Sequence, residues 1–258
     1  MEYVMSVALI IFVIVLHELG HFFEALRLGL KVKRFVVGLD LFGMKLFSFR
    51  LKRFPGTEFT LCPILLGGYV ELEKEEEINL EYMPYRDLAL FSGAGIWANS
   101  LTVLIVALLI RRVSGEPLSR ADGILLVLSG LLFVGKSVFC RYLILPCGLL
   151  MLGLMIYGMA KIGVSQILGG PITFMQKAKP TGLGLVEMLT KLIDLSGMLA
   201  TVNMLPMKPL DGGALVDALL RRWEKTRTWF AVVTGLAMFS LMSIALFHDF
   251  KNLIRSWF

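Results

Sequence analysis

The chain is poor in cysteine, histidine and charge. Its 258 residues include three cysteines and three histidines, and 18% of them are charged. Cys62, Cys140 and Cys147 form no CxxC pair, so their spacing predicts buried thiols rather than a disulfide framework or a cysteine metal site. The low charge comes with 57% hydrophobic residues, which exceeds the share in an ordinary soluble domain. The composition therefore predicts a membrane protein.

Long apolar stretches indicate a polytopic α-helical membrane protein. A helical span needs roughly 20 apolar residues, with about 17 as the lower limit. Spans are predicted at about 3–26, 88–110, 188–206 and 229–247, and residues 121–160 are predicted to add an apolar hairpin. The run 123–135 in that hairpin is short, so it is either a thin span or a re-entrant segment. We expect about six transmembrane helices, namely a four-helix core and the extra hairpin.

The lysines and arginines are not spread evenly along the chain, whose net charge is +6. Residues 27–87 hold ten of the 26 lysines and arginines, and a second basic cluster comprises Arg221, Arg222, Lys225 and Arg227. By the positive-inside rule both segments face the cytoplasm, which agrees with six crossings and two external termini. Topology and contact with lipid headgroups explain these charges, so we expect the lipid bilayer, and no nucleic acid, as a partner.

Residues 31–72 are β-prone rather than helical. Short runs at Lys31–Val37, Lys45–Leu51 and Glu58–Cys62 are separated by glycines, which predicts a small sheet or hairpin after the first helix. The acidic run Glu71–Glu77 is predicted to be a solvated loop.

The first span carries an HExxH motif. His17 and His21 are four residues apart, so on a helix both imidazoles lie on one face and can reach one metal ion. Glu18 lies one residue round from His17, where it can hold and deprotonate a water molecule. The alternative is a polar helix end without a metal, but ionisable residues inside spans are costly and usually functional. A cleaved signal peptide would discard these residues, and no basic region precedes the apolar run.

Asp211 is the candidate for a third metal ligand. Catalytic zinc commonly takes three protein ligands and a water. Pro206 and Pro209 interrupt an apolar stretch just before Asp211, and such a break in a membrane requires protein or a water-filled cavity around it. The alternative is a turn aspartate that caps a short helix over Ala214–Leu220.

These motifs together resemble the site-2 protease family, particularly its bacterial envelope-stress branch. The resemblance covers roughly residues 1–110 and 165–247. The matching residues are His17–His21, Phe22-Phe23-Glu24-Ala25, Gly29, Val37-Gly38, Gly56-Thr57-Glu58, Gly67-Gly68-Tyr69-Val70, Ala94–Asn99, Gly169-Gly170-Pro171-Ile172 and Asn203–Gly213.

The resemblance implies an intramembrane zinc metalloprotease. It implies Zn²⁺ bound by His17, His21 and Asp211, with Glu18 as the general base and Asn203 as a substrate-positioning or oxyanion-stabilising side chain. The β-prone region resembles the family's membrane-associated β-hairpin, to which an extended substrate could add as a strand. The expected substrates are transmembrane segments of single-span proteins, cut in regulated intramembrane proteolysis. The expected location is the cytoplasmic (inner) membrane, with the active site towards the cytoplasm.

The chain departs from this family pattern in two places. Ile96 replaces the proline of the family's AGPxxN motif, so Asn99 either keeps that motif's role or makes an interhelical hydrogen bond. Relatives in this branch usually carry PDZ domains between the second and third core spans, where this chain is apolar. We therefore predict a catalytic part over 1–110, an apolar hairpin without a PDZ domain over 111–165, and a second catalytic part over 166–258.

Two other functions share some of these features. A membrane zinc hydrolase with a non-protein substrate would need the HExxH motif but no strand-forming segment beside it. A metal transporter or an inactive scaffold would need no glutamate beside the histidines. The sequence predicts neither the substrate's identity nor an oligomeric state.

Overall fold

The computed structural model of the chain describes residues 2–40, 43–115 and 184–255. The helices in these ranges are α1 (Glu2–Arg27), α2 (Lys74–Tyr82), α3 (Tyr85–Val113), α4 (Leu185–Asn203), α5 (Asp211–Leu219) and α6 (Glu224–Arg255). The strands are β1 (Val32–Leu39), β2 (Phe47–Leu51), β3 (Phe54–Leu61) and β4 (Ile64–Leu72). A 3₁₀ turn at Leu220–Arg222 joins α5 to α6.

Three helices in the described ranges are long and apolar enough to cross a membrane. These segments are Val4–Arg27, Tyr85–Val113 and Glu224–Lys251. Even the shortest, with 24 residues, is about 36 Å long at ~1.5 Å per residue, which exceeds a hydrocarbon core of ~30 Å. The most apolar part of α6 is exposed in the described part of the chain. These helices identify an integral membrane protein.

The predicted third core span corresponds to α4, a helix of 19 residues that packs against α3. It ends at Asn203, and the prolines at 206 and 209 lie in the connection to α5, as their effect on helices predicts. The apolar hairpin predicted over 121–160 and the Gly169–Ile172 motif lie outside the described residues. The arrangement with about six spans therefore stays a prediction.

Helix α1 ends at a glycine turn that leads directly into the sheet. Gly29 has φ of 77°, a left-handed conformation that glycine adopts without a Cβ penalty. The amide of Leu30 donates to the carbonyl of Ala25 at 2.9 Å, and the amide of Gly29 donates to that of Leu26 at 3.1 Å. This pair of hydrogen bonds is a Schellman motif, which fixes where the chain leaves the helix.

The four strands form one mixed sheet in the order β2-β3-β1-β4. Strand β1 pairs in parallel with β3, with Phe35 opposite Phe59, and antiparallel with β4, with Val36 opposite Tyr69. Strand β2 pairs antiparallel with β3. Within the described chain β4 is thus an edge strand, and it contacts α1.

The core joins the sheet to the end of α1 that carries the HExxH motif. Phe22 is 1% exposed and contacts the rings of Phe35, Phe54 and Phe59 at centroid distances of 5.1–5.8 Å. Edge-to-face contacts of this kind add to the stability gained from burial alone. This cluster holds the histidine-bearing turn of α1 against the sheet.

The structure corrects two sequence expectations in this region. Of the two predicted alternatives, the β-prone segment forms the small sheet, and the hairpin implied by the family resemblance is wrong, because Ile64–Leu72 also forms a strand. The acidic run Glu71–Glu77 is not a loop, since its residues end β4 and begin α2.

Candidate metal centre

The HExxH residues lie in the interior of the described protein. His17 and Glu18 are each 4% exposed, and His21 is 8% exposed. They belong to α1, whose other inward-facing side chains pack against α3, α4 and the sheet. The two imidazole rings lie one turn apart in an edge-to-face arrangement with centroids 5.1 Å from each other, as the i, i+4 spacing predicts.

Asp211 reaches both histidines from a part of the chain 190 residues further on. Its Oδ2 atom lies 3.1 Å from His17 Nε2 and 3.3 Å from His21 Nε2. One ligand atom from each of the three residues lies within 4.8 Å of the others. The tight connection before α5 sets this position, because Gly212 lies against the backbone of Met204 and a side chain there would collide with it.

The hydrogen bonding of His21 leaves its Nε2 atom free to bind a metal ion together with Asp211. Its Nδ1 atom donates to the carbonyl of Phe91 at 2.9 Å, because a carbonyl oxygen can only accept. In the neutral ring Nε2 then carries a lone pair, and this lone pair faces the Asp211 carboxylate, which is also an acceptor. A proton or a metal ion shared by these two atoms removes their repulsion at 3.3 Å. Two imidazoles and a carboxylate are a donor set that zinc prefers.

Glu18 is beside this group but is not a member of it. Its side chain lies against Gly68 of the edge strand β4, where a Cβ atom would be 2.7 Å from Glu18 Cγ and 3.0 Å from Oε1. The edge strand therefore runs directly past the carboxylate that could act as a base.

Gly95 belongs to the site, although the sequence indicates it only as part of the Ala94–Asn99 motif. A Cβ at this position would lie 2.5 Å from ring atoms of both His17 and His21. Helix α3 thus approaches the imidazoles with bare backbone. The only sequence signal for this contact is the Ala94-Gly95 pair in the motif that ends at Asn99.

The structure places the two candidate asparagines differently. Asn99 is fully buried and its side chain is 3.2 Å from Nδ1 of His17, so it makes an interhelical hydrogen bond and does so to a candidate ligand. Asn203 is the last residue of α4, and its amide donates to the carbonyl of Leu199 in its own helix at 3.2 Å. The described contacts do not bring Asn203 to the histidines.

An ion cluster fixes the segment that carries Asp211. Asp217 of α5 accepts two hydrogen bonds of 3.0 Å from Arg227 of α6, and Lys208 Nζ lies 3.3 Å from the same carboxylate. Burial raises the pKa of Asp217, but the hydrogen bonds from Arg227 and the charge of Lys208 outweigh this effect and hold its pKa below the ordinary value. Asp217 is therefore ionised at neutral pH. Its carboxylate joins Lys208, which lies in the connection before Asp211, to Arg227 of α6.

Comparison with known proteins gives one family. A family model described as "Peptidase family M50" matches residues 5–247. The match includes the HExxH motif and the Asn203–Gly213 segment, so it spans both parts of the chain that meet at the metal centre.

Three bacterial relatives share part of this sequence, and each bears the name "Putative zinc metalloprotease". The protein from Helicobacter pylori J99 is 35% identical over 127 residues, which are 44% of this chain and 34% of the relative. The protein from Ralstonia nicotianae is 36% identical over 135 residues, 46% of this chain and 28% of the relative. The protein from Campylobacter jejuni is 40% identical over 77 residues, 30% of this chain and 19% of the relative. The chain thus matches about a fifth to a third of their length.

Proposed function

Because this chain belongs to peptidase family M50, the site-2 protease family, we propose that it cuts transmembrane segments of single-span proteins within the bilayer. The family, the names of the relatives and the apolar helices make it a membrane metalloprotease with zinc as its cofactor. The observation that carries the proposal is the meeting of His17, His21 and Asp211 at one point between remote segments.

His17, His21 and Asp211 would hold the zinc through Nε2, Nε2 and Oδ2. Three protein ligands leave one position for water, which is the arrangement of catalytic rather than structural zinc. When bound, zinc lowers the pKa of a water molecule to about 7 and polarises a carbonyl group. The fit of the site supports this assignment, since Nε2 of His21 and the carboxylate of Asp211 face each other and can share one metal ion.

Glu18 would act as the general base and then as the general acid. Its carboxylate accepts a proton from the attacking water and later delivers it to the nitrogen of the leaving amine. The buried position next to the ligands keeps this proton from bulk solvent. A metal transporter needs no such carboxylate, so Glu18 favours the hydrolytic function.

The edge strand β4 would receive the substrate. A transmembrane helix shields its peptide bonds by internal hydrogen bonding, so it must unwind before a carbonyl can be attacked. An unwound segment can add to a sheet edge through main-chain hydrogen bonds. Strand β4 supports this role because it is an edge strand in the described chain and its Gly68 touches Glu18. A lipid substrate would gain nothing from such an edge.

Asn203 would position the substrate or stabilise the oxyanion. In the structure its amide binds the carbonyl of Leu199, so this role requires the side chain to turn when substrate arrives. Its position eight residues before Asp211, at the end of α4, is the feature that supports the assignment.

The orientation in the membrane follows from the basic segments. We propose about six crossings in the inner membrane, with the metal centre towards the cytoplasm and with regulated intramembrane proteolysis as the biological process. The excess of lysine and arginine in 27–87 supports this orientation.

The test compares the wild-type chain with Glu18→Gln in proteoliposomes. Each receives a single-span peptide with a helix-breaking residue in its apolar segment, and separate vesicles receive labelled phospholipid only. We expect the wild type to cleave the peptide and leave the lipid intact, and Glu18→Gln to retain zinc but lose cleavage by about 100-fold or more. Normal cleavage by Glu18→Gln, or hydrolysis of the lipid instead of the peptide, would show the proposal to be wrong.

A further inference from the structure

Among the described residues, Asn99 is the one whose side-chain amide forms a hydrogen bond with a candidate zinc ligand. It projects from α3, is 0% exposed, and its amide is 3.2 Å from Nδ1 of His17 on α1. Both α1 and α3 contain candidate membrane spans, and both side chains are buried, so little water surrounds this pair. A buried polar group in such surroundings has to be matched to its partner with the correct donor and acceptor.

The amide orientation decides whether His17 can bind a metal. If the Nδ2 group of Asn99 donates to Nδ1 of His17, the proton of the neutral ring must be on Nε2. Nε2 is the atom that faces Asp211 at 3.1 Å, and a protonated Nε2 has no lone pair for a metal. In that same orientation Oδ1 of Asn99 is buried and has no hydrogen-bond partner.

Exchange of the two amide atoms removes both conflicts. The oxygen and nitrogen of an asparagine are assigned from their hydrogen bonds, and a half-turn of the amide interchanges them. Oδ1 then accepts a hydrogen bond from Nδ1–H of His17, and Nε2 keeps its lone pair. His21 already has this arrangement, since its Nδ1–H donates to the carbonyl of Phe91.

We propose that Asn99 is a positioning residue that fixes the tautomer and orientation of His17 for zinc. Its Oδ1 atom accepts the Nδ1 proton, and Nε2 is thereby presented to the metal. This inference rests on the proposed zinc ligands. Partners of this kind behind a ligating imidazole are worth about 10- to 100-fold in metal affinity.

The experiment measures zinc affinity of the full chain in detergent by competition with a chromophoric chelator. The Asn99→Leu variant keeps the size of the side chain but removes the acceptor, so we expect zinc to bind about 10- to 100-fold more weakly. The Asn99→Asp variant restores an acceptor that is at least as strong, so we expect affinity equal to or above that of the wild type. The control is Thr102→Val on the same helix. Among the described contacts, the Thr102 hydroxyl binds only the Ala98 carbonyl, at 2.9 Å, so this variant should leave zinc affinity unchanged.

The rescue by aspartate separates positioning from packing. A role in packing alone would predict that both Asn99 variants bind zinc weakly and that both melt early without metal. The inference is overturned if Asn99→Asp binds zinc tenfold or more weakly than the wild type, which can be measured even if the leucine variant does not fold. It is also overturned if Asn99→Leu binds normally, or if Thr102→Val is as weak as Asn99→Leu. If the wild-type chain binds no zinc at all, the proposed function fails together with this inference.

Discussion

At the scale of single residues, the absence of a side chain at Gly95 is as important as the ligands themselves. Any Cβ at this position would lie 2.5 Å from the imidazoles of His17 and His21, closer than non-bonded atoms can approach. The rings would have to move away from the positions in which both face Asp211. Bare backbone on α3 is therefore a condition for the metal centre.

The Gly95→Ala variant tests this condition. We expect zinc affinity to fall by about 10- to 100-fold, comparable to the loss of a supporting partner, because both rings are displaced at once. Gly93→Ala is the matched control at another buried glycine of the same helix, since its nearest neighbour, Trp97 Cδ1, would be 3.8 Å away, an ordinary contact distance. Isothermal titration with zinc measures both variants, and equal affinities for the two would contradict the account.

The candidate ligands and base could be named from the sequence, whereas their neighbours could not. The HExxH spacing places His17 and His21 on one helix face whatever surrounds the helix. The position of Asp211, just after two prolines that interrupt an apolar stretch, suggested the third ligand. The contacts of Gly95 and Asn99 depend on how α1 packs against α3. Helix packing is set by many side chains together, and no local pattern reports it.

At the scale of elements, the sheet after α1 differs most from the sequence-based expectation. The β-prone runs predicted a small sheet or a hairpin, and the sheet is what forms, but the parallel pairing of β1 with β3 requires a connection that returns across the sheet, which the runs alone did not predict. Glycine usually weakens a strand, so Gly67-Gly68 indicated a boundary rather than the middle of β4. The close contact of Gly68 with Glu18 gives the physical reason for a small residue inside this strand.

The aromatic cluster under α1 leads to a prediction about stability. Phe22 is 1% exposed among three other phenylalanines, so Phe22→Ala should lower the free energy of unfolding by about 3–5 kcal/mol. Phe23 is the next residue, is 56% exposed and has one edge-to-face ring contact, with Phe22 at 5.7 Å, so Phe23→Ala should lower it by only about 1 kcal/mol. Denaturant titration in detergent micelles, followed by tryptophan fluorescence, measures both. A larger loss for Phe23→Ala would contradict the packing described here.

At the scale of the whole molecule, the metal centre depends on segments that are distant in sequence and on their common orientation in the membrane. Helix α3 has 29 residues and is about 43 Å long at ~1.5 Å per residue, so its two ends lie on opposite sides of a bilayer. The basic segment 27–87 precedes one end, and Ser114 follows the other. In the proposed topology, which rests on the positive-inside rule, the first end faces the cytoplasm.

Cysteine accessibility tests this orientation. In a chain whose Cys62, Cys140 and Cys147 are replaced by serine, single cysteines are introduced as Lys52→Cys and Ser114→Cys, two positions that are exposed in the structure. A membrane-impermeant maleimide should label Ser114→Cys in intact spheroplasts and Lys52→Cys only after lysis, because the basic segment is retained inside. The opposite labelling pattern would place the basic segment outside and contradict the proposed topology.

The central claim is that His17, His21 and Asp211 hold one zinc ion, and zinc K-edge X-ray absorption of the purified chain tests it most directly. We predict nitrogen and oxygen neighbours at about 2.0–2.1 Å, with outer-shell scattering from two imidazoles. Asp211→Ala should lose the metal, whereas Glu75→Ala, which removes an exposed carboxylate of α2 outside the centre, should keep it. A sulfur neighbour at about 2.3 Å, or an unchanged zinc spectrum in Asp211→Ala, would contradict the account.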